Sequence, residues 1–466
     1  MMRSRYRLLA SGTLWYTLSS IFFVGAQHAT PLHGDKLAAS AQASPNQKAA
    51  GQSKSQKIAN PLNDLLDEAK RDIDKNEFEA AITPLQKVIA EQPDSAYAHF
   101  QLAYVYTALN KTEEARAEYE RTIAIDPRMA EAYLNLGLLY MHEGPPAENR
   151  AVASLRKAVE LMPGQRQPLR ELAVAQERSG DEAGAAESFQ ALLRLDPDDL
   201  DANTYIGGEF LRKNRPQEAE LRFRQALEHH AGFPPALVGL ARSLEEQKKP
   251  GEAVDVYRQS LARVPNHDIR VRIVRLLMEQ EQYDEALAEL DRVPKFELGR
   301  PEDPTPALEA LKLRADIQIA QKKWDDSIVT LREATGLAPN DAQLHGGLGR
   351  VLLQKRDFVG AEKELRTALR LDGKNLAYWK DLSSTLFLGG NYPAALATLD
   401  EIGKMEQPGA GVWFIRAICY DKLNQPKPAL EAYQKFLDLD QGKNPDQVWQ
   451  AQQRSKVLRR MLEQKR

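Results

Sequence analysis

Residues and motifs that are typical of several protein classes are scarce in this sequence. A single cysteine, Cys419, stands among 466 residues, so no internal disulfide can form and no Cys-x-x-Cys metal motif exists. The formal net charge is only −3, which gives the chain no overall attraction to nucleic acid. Charged residues make up 28% and hydrophobic residues 42%, the composition of a folded, helix-compatible chain rather than a membrane bundle or a disordered tail.

Motifs for catalysis and for cofactor binding are also missing. The eight histidines include the adjacent pair His229–His230, and the others are dispersed. There is no His-Glu-x-x-His, no phosphate-binding loop and no Gly-x-Ser-x-Gly elbow. Carboxylate pairs such as Asp198–Asp199 fall in turns and at helix starts, where acidic groups favour the positive end of a helix. We therefore predict no catalytic residue, no metal site and no cofactor.

The first 58 residues differ from the rest of the chain. Residues 1–26 carry three arginines and then 19 uncharged residues that end on small side chains, which is the layout of a secretory signal. Because about 20 apolar residues can cross a bilayer, a retained N-terminal membrane anchor is the alternative. Residues 27–58 are rich in Ala, Ser, Gln and Lys and are predicted to form a flexible tether. We expect the protein to be exported, either periplasmic or secreted, or anchored with the remainder outside the cytoplasm.

A repeat of 34 residues organises the remainder of the sequence. Prolines close a helical pattern at intervals of 34 or 36 residues from Pro93 to Pro197, and the period continues to Gln441. Each repeat contains two apolar runs at helical spacing, separated by a polar turn. In the fifth repeat, Gly207 lies 24 positions and Phe223 eight positions before the closing residue, and most other repeats have a small and a large residue at these places. Two closely packed helices require this combination. The seventh repeat departs from the pattern, with Arg275 where a small residue is expected.

The pattern resembles the tetratricopeptide repeat family. The family motif is most complete at residues 130–137, Ala-Glu-Ala-Tyr-Leu-Asn-Leu-Gly, with Tyr140, Ala151, Ala158 and Pro163 following it. The resemblance implies an all-α solenoid in which about eleven antiparallel helix hairpins stack as a right-handed superhelix. It also implies that the first helix of each hairpin lines a concave groove, which in this family usually binds peptides.

The repeat frame predicts three regions after the tether. Repeats 1–7 occupy residues 59–299, and repeats 8–11 occupy residues 300–441. The proline-rich loop at residues 297–306 adds six residues to the period and could bend the solenoid into two halves. Residues 442–466 combine a few apolar side chains with many charges, as expected of a capping helix at a solenoid end.

The candidate partner-binding residues lie on the first helix of each repeat. Positions 27, 23 and 19 before each closing residue are one helical turn apart and are predicted to face the groove. Many of them are basic, about one per repeat, which would form a ladder of cations for the carboxylates of an extended acidic peptide. These cations are Arg170, Arg178, Arg212, Arg242, Arg272, Lys312, Arg350, Lys380 and Lys422. The alternative is that each cation pairs with an acid of a neighbouring helix, such as Glu171 or Asp381. Near the first repeats, Tyr97 and Tyr104 could accept an apolar anchor.

Together these patterns favour a non-catalytic scaffold or adaptor that binds a protein or peptide in its groove, in the cell envelope or outside the cell. A second hypothesis is a subunit that recruits substrate for a separate enzyme, such as a glycosyltransferase or a peptidase. No nucleic-acid partner is predicted, and membrane attachment is expected only if residues 1–26 are retained.

Overall fold

The structure is a computed structural model that describes residues 61–293, 303 and 305–463. These residues form 23 α-helices and no strand, which confirms the predicted all-α repeat fold. The predicted signal and tether lie outside the described residues, as does most of the proline-rich loop. No described helix combines the length and the apolar character needed to cross a bilayer.

The helices divide into two compact bodies, with the division between Ser260 and Leu261. The first body contains α1 (Pro61–Asp74), α2 (Phe78–Glu91), α3 (Ala96–Ala108), α4 (Thr112–Ile125), α5 (Ala130–Glu143), α6 (Glu148–Leu161), α7 (Arg166–Ser179), α8 (Glu182–Leu195), α9 (Leu200–Arg212), α10 (Pro216–His229), α11 (Pro234–Glu246) and nearly all of α12 (Pro250–Leu261). A short 3₁₀ helix, Pro145–Ala147, precedes α6 and contains the two extra residues of the third repeat.

The second body contains α13 (His267–Glu279), α14 (Tyr283–Asp291), α15 (Thr305–Ala320), α16 (Trp324–Leu337), α17 (Ala342–Gln354), α18 (Phe358–Leu371), α19 (Leu376–Leu388), α20 (Tyr392–Met405), α21 (Ala410–Lys422), α22 (Pro426–Asp440) and α23 (Pro445–Glu463). The last of these packs against α22. Helices α1 to α22 follow one another as eleven pairs, and we call the odd-numbered member of each pair the first helix and the even-numbered member the second helix.

A left-handed residue makes the turn within almost every hairpin. Asn110, Asn214 and Gly390 have positive φ at this place, and these residue types tolerate the left-handed region well. Lys248 and Arg356 adopt the same conformation, with φ of 60° and 62°. A side chain with a Cβ is strained there, so the turn geometry is imposed by the packing of the two helices.

The small and large residues of the repeat meet inside each hairpin. A Cβ added at Gly207 would lie 2.9 Å from the Phe223 ring, and a Cβ added at Gly349 would lie 2.6 Å from Leu365 Cγ. Ala219, on the second helix, is fully buried. The absence of a side chain at Gly207 and Gly349 therefore lets the two helices of the hairpin approach closely. This explains why small and large residues recur at fixed positions of the repeat.

A side chain near the start of several first helices ties the hairpin to the preceding turn. It donates to the carbonyl oxygen six residues earlier, which belongs to the closing residue of the previous repeat. The pairs are Asn203 Nδ2 to Pro197 at 2.7 Å, Trp379 Nε1 to Gly373 at 3.0 Å, His99 Nε2 to Pro93 at 3.1 Å and His345 Nε2 to Pro339 at 3.1 Å. Histidines that stand alone in the sequence thus have a structural role in these turns.

Candidate functional site

Several neighbouring first helices contact one another directly in each body, and we call the surface that the first helices form the wall. In the first body α3 contacts α5, α5 contacts α7, and α9 contacts α11. In the second body α13 contacts α15, and α17 contacts α19. Among the described helices, no two second helices pack together to the same extent. Within each body the first helices therefore lie on the inner, more tightly curved side, and the predicted groove positions are on this wall.

Two cations of the first body are bound by groups from neighbouring repeats. The Arg170 guanidinium on α7 pairs with Asp199, and its Nε lies 3.1 Å from Asp199 Oδ2. Asp199 is only 3% exposed and also accepts a hydrogen bond from the Ala202 amide, so it begins α9 as its N-cap. Arg178 donates to the Met141 carbonyl oxygen at 3.0 Å, and its Nε lies 3.9 Å from a Glu148 carboxylate oxygen. Both arginines therefore join successive hairpins.

The remaining two cations of the first body differ from each other. Arg212 pairs with Glu209 on its own helix and lies over the Tyr205 ring, with 5.6 Å from its Cζ to the ring centroid. Arg242 lies partly buried on α11, and within the described residues no carboxylate comes within ion-pair distance of it. Among the four predicted cations on the described helices of the first body, Arg242 is the one without a carboxylate partner.

The second body repeats the same arrangement. Lys312 Nζ lies 2.7 Å from Asp341 Oδ2, and Asp341 is the N-cap of α17. The other two pairs join Arg350 Nε to Asp381 Oδ2 at 2.9 Å and Lys380 Nζ to Glu406 Oε1 at 2.8 Å. Arg272 is exposed on α13 and is not free, because it interacts with another residue. Lys422 on α21 forms no ion pair with a carboxylate of the described residues.

Five of the predicted groove cations pair with acids outside their own helix, and Arg212 pairs with an acid of its own helix; the five are Arg170, Arg178, Lys312, Arg350 and Lys380. These six do not form a ladder of unpaired cations, because each one already faces a carboxylate of the fold. Their part in partner binding stays a prediction.

The wall of the first body also carries acidic side chains, which the sequence did not identify as part of the groove. Burial raises the pKa of Glu171 on α7 to about 7, although Arg170 beside it opposes the shift. The pKa of Asp201 on α9 is also raised, first by burial and then by the charge of Asp199. The α7–α9 part of the wall consequently carries desolvated carboxyl groups, which disfavour an acidic ligand there.

The two candidate tyrosines lie together on α3 and are partly buried. Burial raises the pKa of both Tyr97 and Tyr104, so the phenols stay neutral at physiological pH. The Tyr104 ring packs edge-on against Phe78 with 6.3 Å between ring centroids. This aromatic part of the wall is compatible with the predicted apolar anchor.

No cluster of described residues on the wall has the arrangement of a nucleophile and its base. The Cys419 thiol is buried, and burial raises its pKa to about 11, which keeps it protonated and unreactive. One group of potential metal ligands, Asp198, Glu228 and His229, lies at the end of α10 rather than on the wall of first helices.

Models of the tetratricopeptide repeat match most of the chain. The matched segments are residues 85–117, 103–144, 148–199, 206–268, 244–302, 318–386 and 410–443. Crystal structures are also similar: YrrB, described as a tetratricopeptide protein with an unusual peptide-binding site, is 19% identical with a TM-score of 0.36 over 40% of this chain and 94% of its own. Yeast Tom70 is 14% identical with a TM-score of 0.31 over 86% of this chain and 96% of its own.

Two curated proteins match a part of the chain. Protein O-mannosyl-transferase TMTC3 of Homo sapiens is 25% identical over 196 residues, which are 41% of this chain and 21% of that protein. Anaphase-promoting complex subunit 3 of Schizosaccharomyces pombe is 26% identical over 192 residues, which are 41% of this chain and 28% of that protein. The similarity thus spans less than a third of either relative. The recurrent matches along the chain and the hairpin structure show that the protein belongs to the tetratricopeptide repeat family, whose fold supports a role in protein interaction.

Proposed function

We propose that the chain is a non-catalytic scaffold that holds an extended segment of another protein against its wall of first helices. The observation that carries this proposal is the direct contact between several neighbouring first helices within each body. An extended segment laid across such helices meets side chains from each of them in turn, and this arrangement suits peptide recognition.

The charges on the wall suggest how a partner is recognised. Arg170 and Lys312 already bind N-cap aspartates, so a partner carboxylate would have to displace an acid that the fold needs. Arg242 and Lys422 have no such competitor among the described residues. We assign contacts with acidic side chains of a partner to each of these two cations, within its own body. Contacts with an apolar anchor are assigned to Tyr97 and Tyr104 on α3.

The place of action belongs to the same proposal. Residues 1–26 have the layout of a secretory signal, so we propose that the repeats work outside the cytoplasm. Sequencing the N-terminus of the protein purified from its native cells tests this. A start near residue 27 supports a cleaved signal, and an intact N-terminus in the membrane fraction supports an anchor. An intact N-terminus in the cytoplasmic fraction would refute export.

A second candidate function is recruitment of substrate for a separate enzyme. The similarity to a protein O-mannosyl-transferase over 196 residues supports this second candidate, although the aligned region is only 21% of that protein. In this case the wall would hold the enzyme or the protein to be modified.

Site-specific photo-crosslinking tests both functions. A photoreactive phenylalanine derivative is placed at Tyr104 or Arg242 on the wall, and at Leu221 or Val359 as controls. The controls lie on second helices and are 64% and 83% exposed. A recurrent protein captured only from the wall supports the scaffold, and an enzyme captured there supports recruitment. Capture from the control positions alone would refute a role for the wall.

A further inference from the structure

Three side chains of the fifth repeat converge at one end of its hairpin. Asp198 lies in the turn before α9, and Glu228 and His229 are the last two residues of α10. One ligand atom from each of the three lies within 4.8 Å of the others. All three are exposed and are within reach of an ion from solvent.

We propose that Asp198, Glu228 and His229 bind one divalent transition-metal ion of the zinc class. His229 Nε2 and Asp198 Oδ2 are 3.7 Å apart, which is too far for a hydrogen bond. Zinc bonds to nitrogen and oxygen are about 2.0–2.2 Å, so two ligands of a tetrahedral site are about 3.3–3.6 Å apart. The observed separation is therefore close to what two ligands of one zinc ion require.

A neighbouring amide holds the two carboxylates in place. Gln225 Nε2 donates to Asp198 Oδ1 at 2.6 Å and lies 3.2 Å from Glu228 Oε2. These hydrogen bonds leave the Asp198 Oδ2 atom directed towards His229. Outer hydrogen bonds of this kind orient the ligands of metal sites.

The ligand set selects among metal ions. Calcium takes six to eight oxygen ligands and magnesium a nearly octahedral set of oxygens, whereas an imidazole nitrogen with two carboxylates suits zinc and its neighbours. Water would complete the coordination because the site is open. The adjacent His230 acts electrostatically on Asp201, on the first helix of the hairpin, and is not part of the cluster.

The ion would join the turn that precedes the fifth hairpin to the end of its second helix. Since these two segments belong to different ends of the same 34-residue unit, bound metal would stabilise this repeat against local opening. The cluster is independent of the wall of first helices, so it does not rest on the proposed function.

Calorimetric titration of the full, untagged, chelator-treated chain with zinc chloride tests the proposal. The wild type is compared with His229→Ala, with the double variant Asp198→Asn, Glu228→Gln, and with His230→Ala as the matched control. We expect the first two to lose one zinc equivalent or to bind it at least tenfold more weakly, and the control to bind as the wild type does.

Hydrogen exchange locates the ion in the same samples. Zinc should slow exchange at residues 196–230 in the wild type and in His230→Ala, but not in His229→Ala. Two results would overturn the proposal: no zinc uptake by the wild type, or equal uptake and equal protection in all four proteins.

Discussion

Two glycines of one helix should respond in opposite directions to the same substitution. Gly347 and Gly349 are both on α17, and alanine is favoured over glycine in a helix interior by about 0.8–1.0 kcal/mol. A Cβ at Gly347 would meet Leu331 Cδ2 at 3.9 Å, an ordinary contact. Gly347→Ala should therefore raise the free energy of unfolding by about 1 kcal/mol.

At Gly349 the same methyl group has no room. Its Cβ would lie 2.6 Å from Leu365 Cγ and 3.3 Å from the Ala361 carbonyl oxygen, and Leu365 is fully buried. Overpacking of this kind costs about 1–3 kcal/mol, which exceeds the gain in helix propensity. We expect Gly349→Ala to lower the free energy of unfolding by about 1 kcal/mol, so the two variants should differ by about 2 kcal/mol.

Hydrogen exchange of α17 is the suitable assay, because long repeat arrays do not unfold in a single step. About 1 kcal/mol changes an opening equilibrium about fivefold, so α17 should exchange faster in Gly349→Ala and slower in Gly347→Ala by this factor. In a Leu365→Ala background the space is restored, and Gly349→Ala should no longer destabilise. Equal or greater protection in Gly349→Ala than in Gly347→Ala would refute the packing argument.

Three further outcomes are expected. Because the pKa of Glu171 is raised from 4.5 to about 7, the folded chain holds this proton more tightly than the unfolded chain, and stability falls as pH rises between these values. Glu171→Gln should flatten that slope in urea titrations, and an unchanged slope would contradict the assignment. Arg356→Gly should slow hydrogen exchange of α17, with a gain of about 0.5–1 kcal/mol from relief of the positive φ, whereas Lys355→Gly at φ −77° should speed it. Cys419 should react with a thiol reagent at pH 8 only after unfolding, and rapid labelling of the native chain would show that it is accessible.

The fold was predictable because its rules are local and periodic. A small residue on the first helix and a large one on the second recur in most of the 34-residue repeats, and the close approach of Gly207 to the Phe223 ring shows that the two residues pack together. The number of hairpins follows from counting this pattern. The expectation that the loop at residues 297–306 bends the solenoid stays a prediction, since that loop is largely outside the described residues, while the two bodies divide at Ser260.

The sequence contains a signal for the pairing of the groove cations. Arg170 and Lys312 both lie 27 positions before a closing proline, and Asp199 and Asp341 both lie two positions after it. The acid starts the next first helix as its N-cap, and stacking brings it beside the cation of the previous one. Where the repeat lacks this aspartate, as after Gln407, Lys380 pairs with Glu406 instead.

The remaining features depend on distances between side chains. The raised pKa of Glu171 comes from burial by neighbouring helices, which composition does not reveal. The cluster at His229 joins residues 30 positions apart, and its ligands meet because an antiparallel hairpin places its entry turn and its last helical turn at the same end. Such contacts can be recognised only when the positions of the side chains are known.

The division between paired and unpaired cations leads to a last prediction. Replacing Arg170 with glutamine leaves the buried Asp199 carboxylate without its partner, which should cost about 1–2 kcal/mol of stability and have little effect on partner capture. Arg242→Gln removes no ion pair of the described chain, so it should leave hydrogen exchange of α11 unchanged and weaken capture of the crosslinked partner. Both variants are measured with the same two assays. If Arg242→Gln captures the partner as well as the wild type does while Arg170→Gln does not, the paired cations take part in recognition and our assignment of the binding residues is wrong.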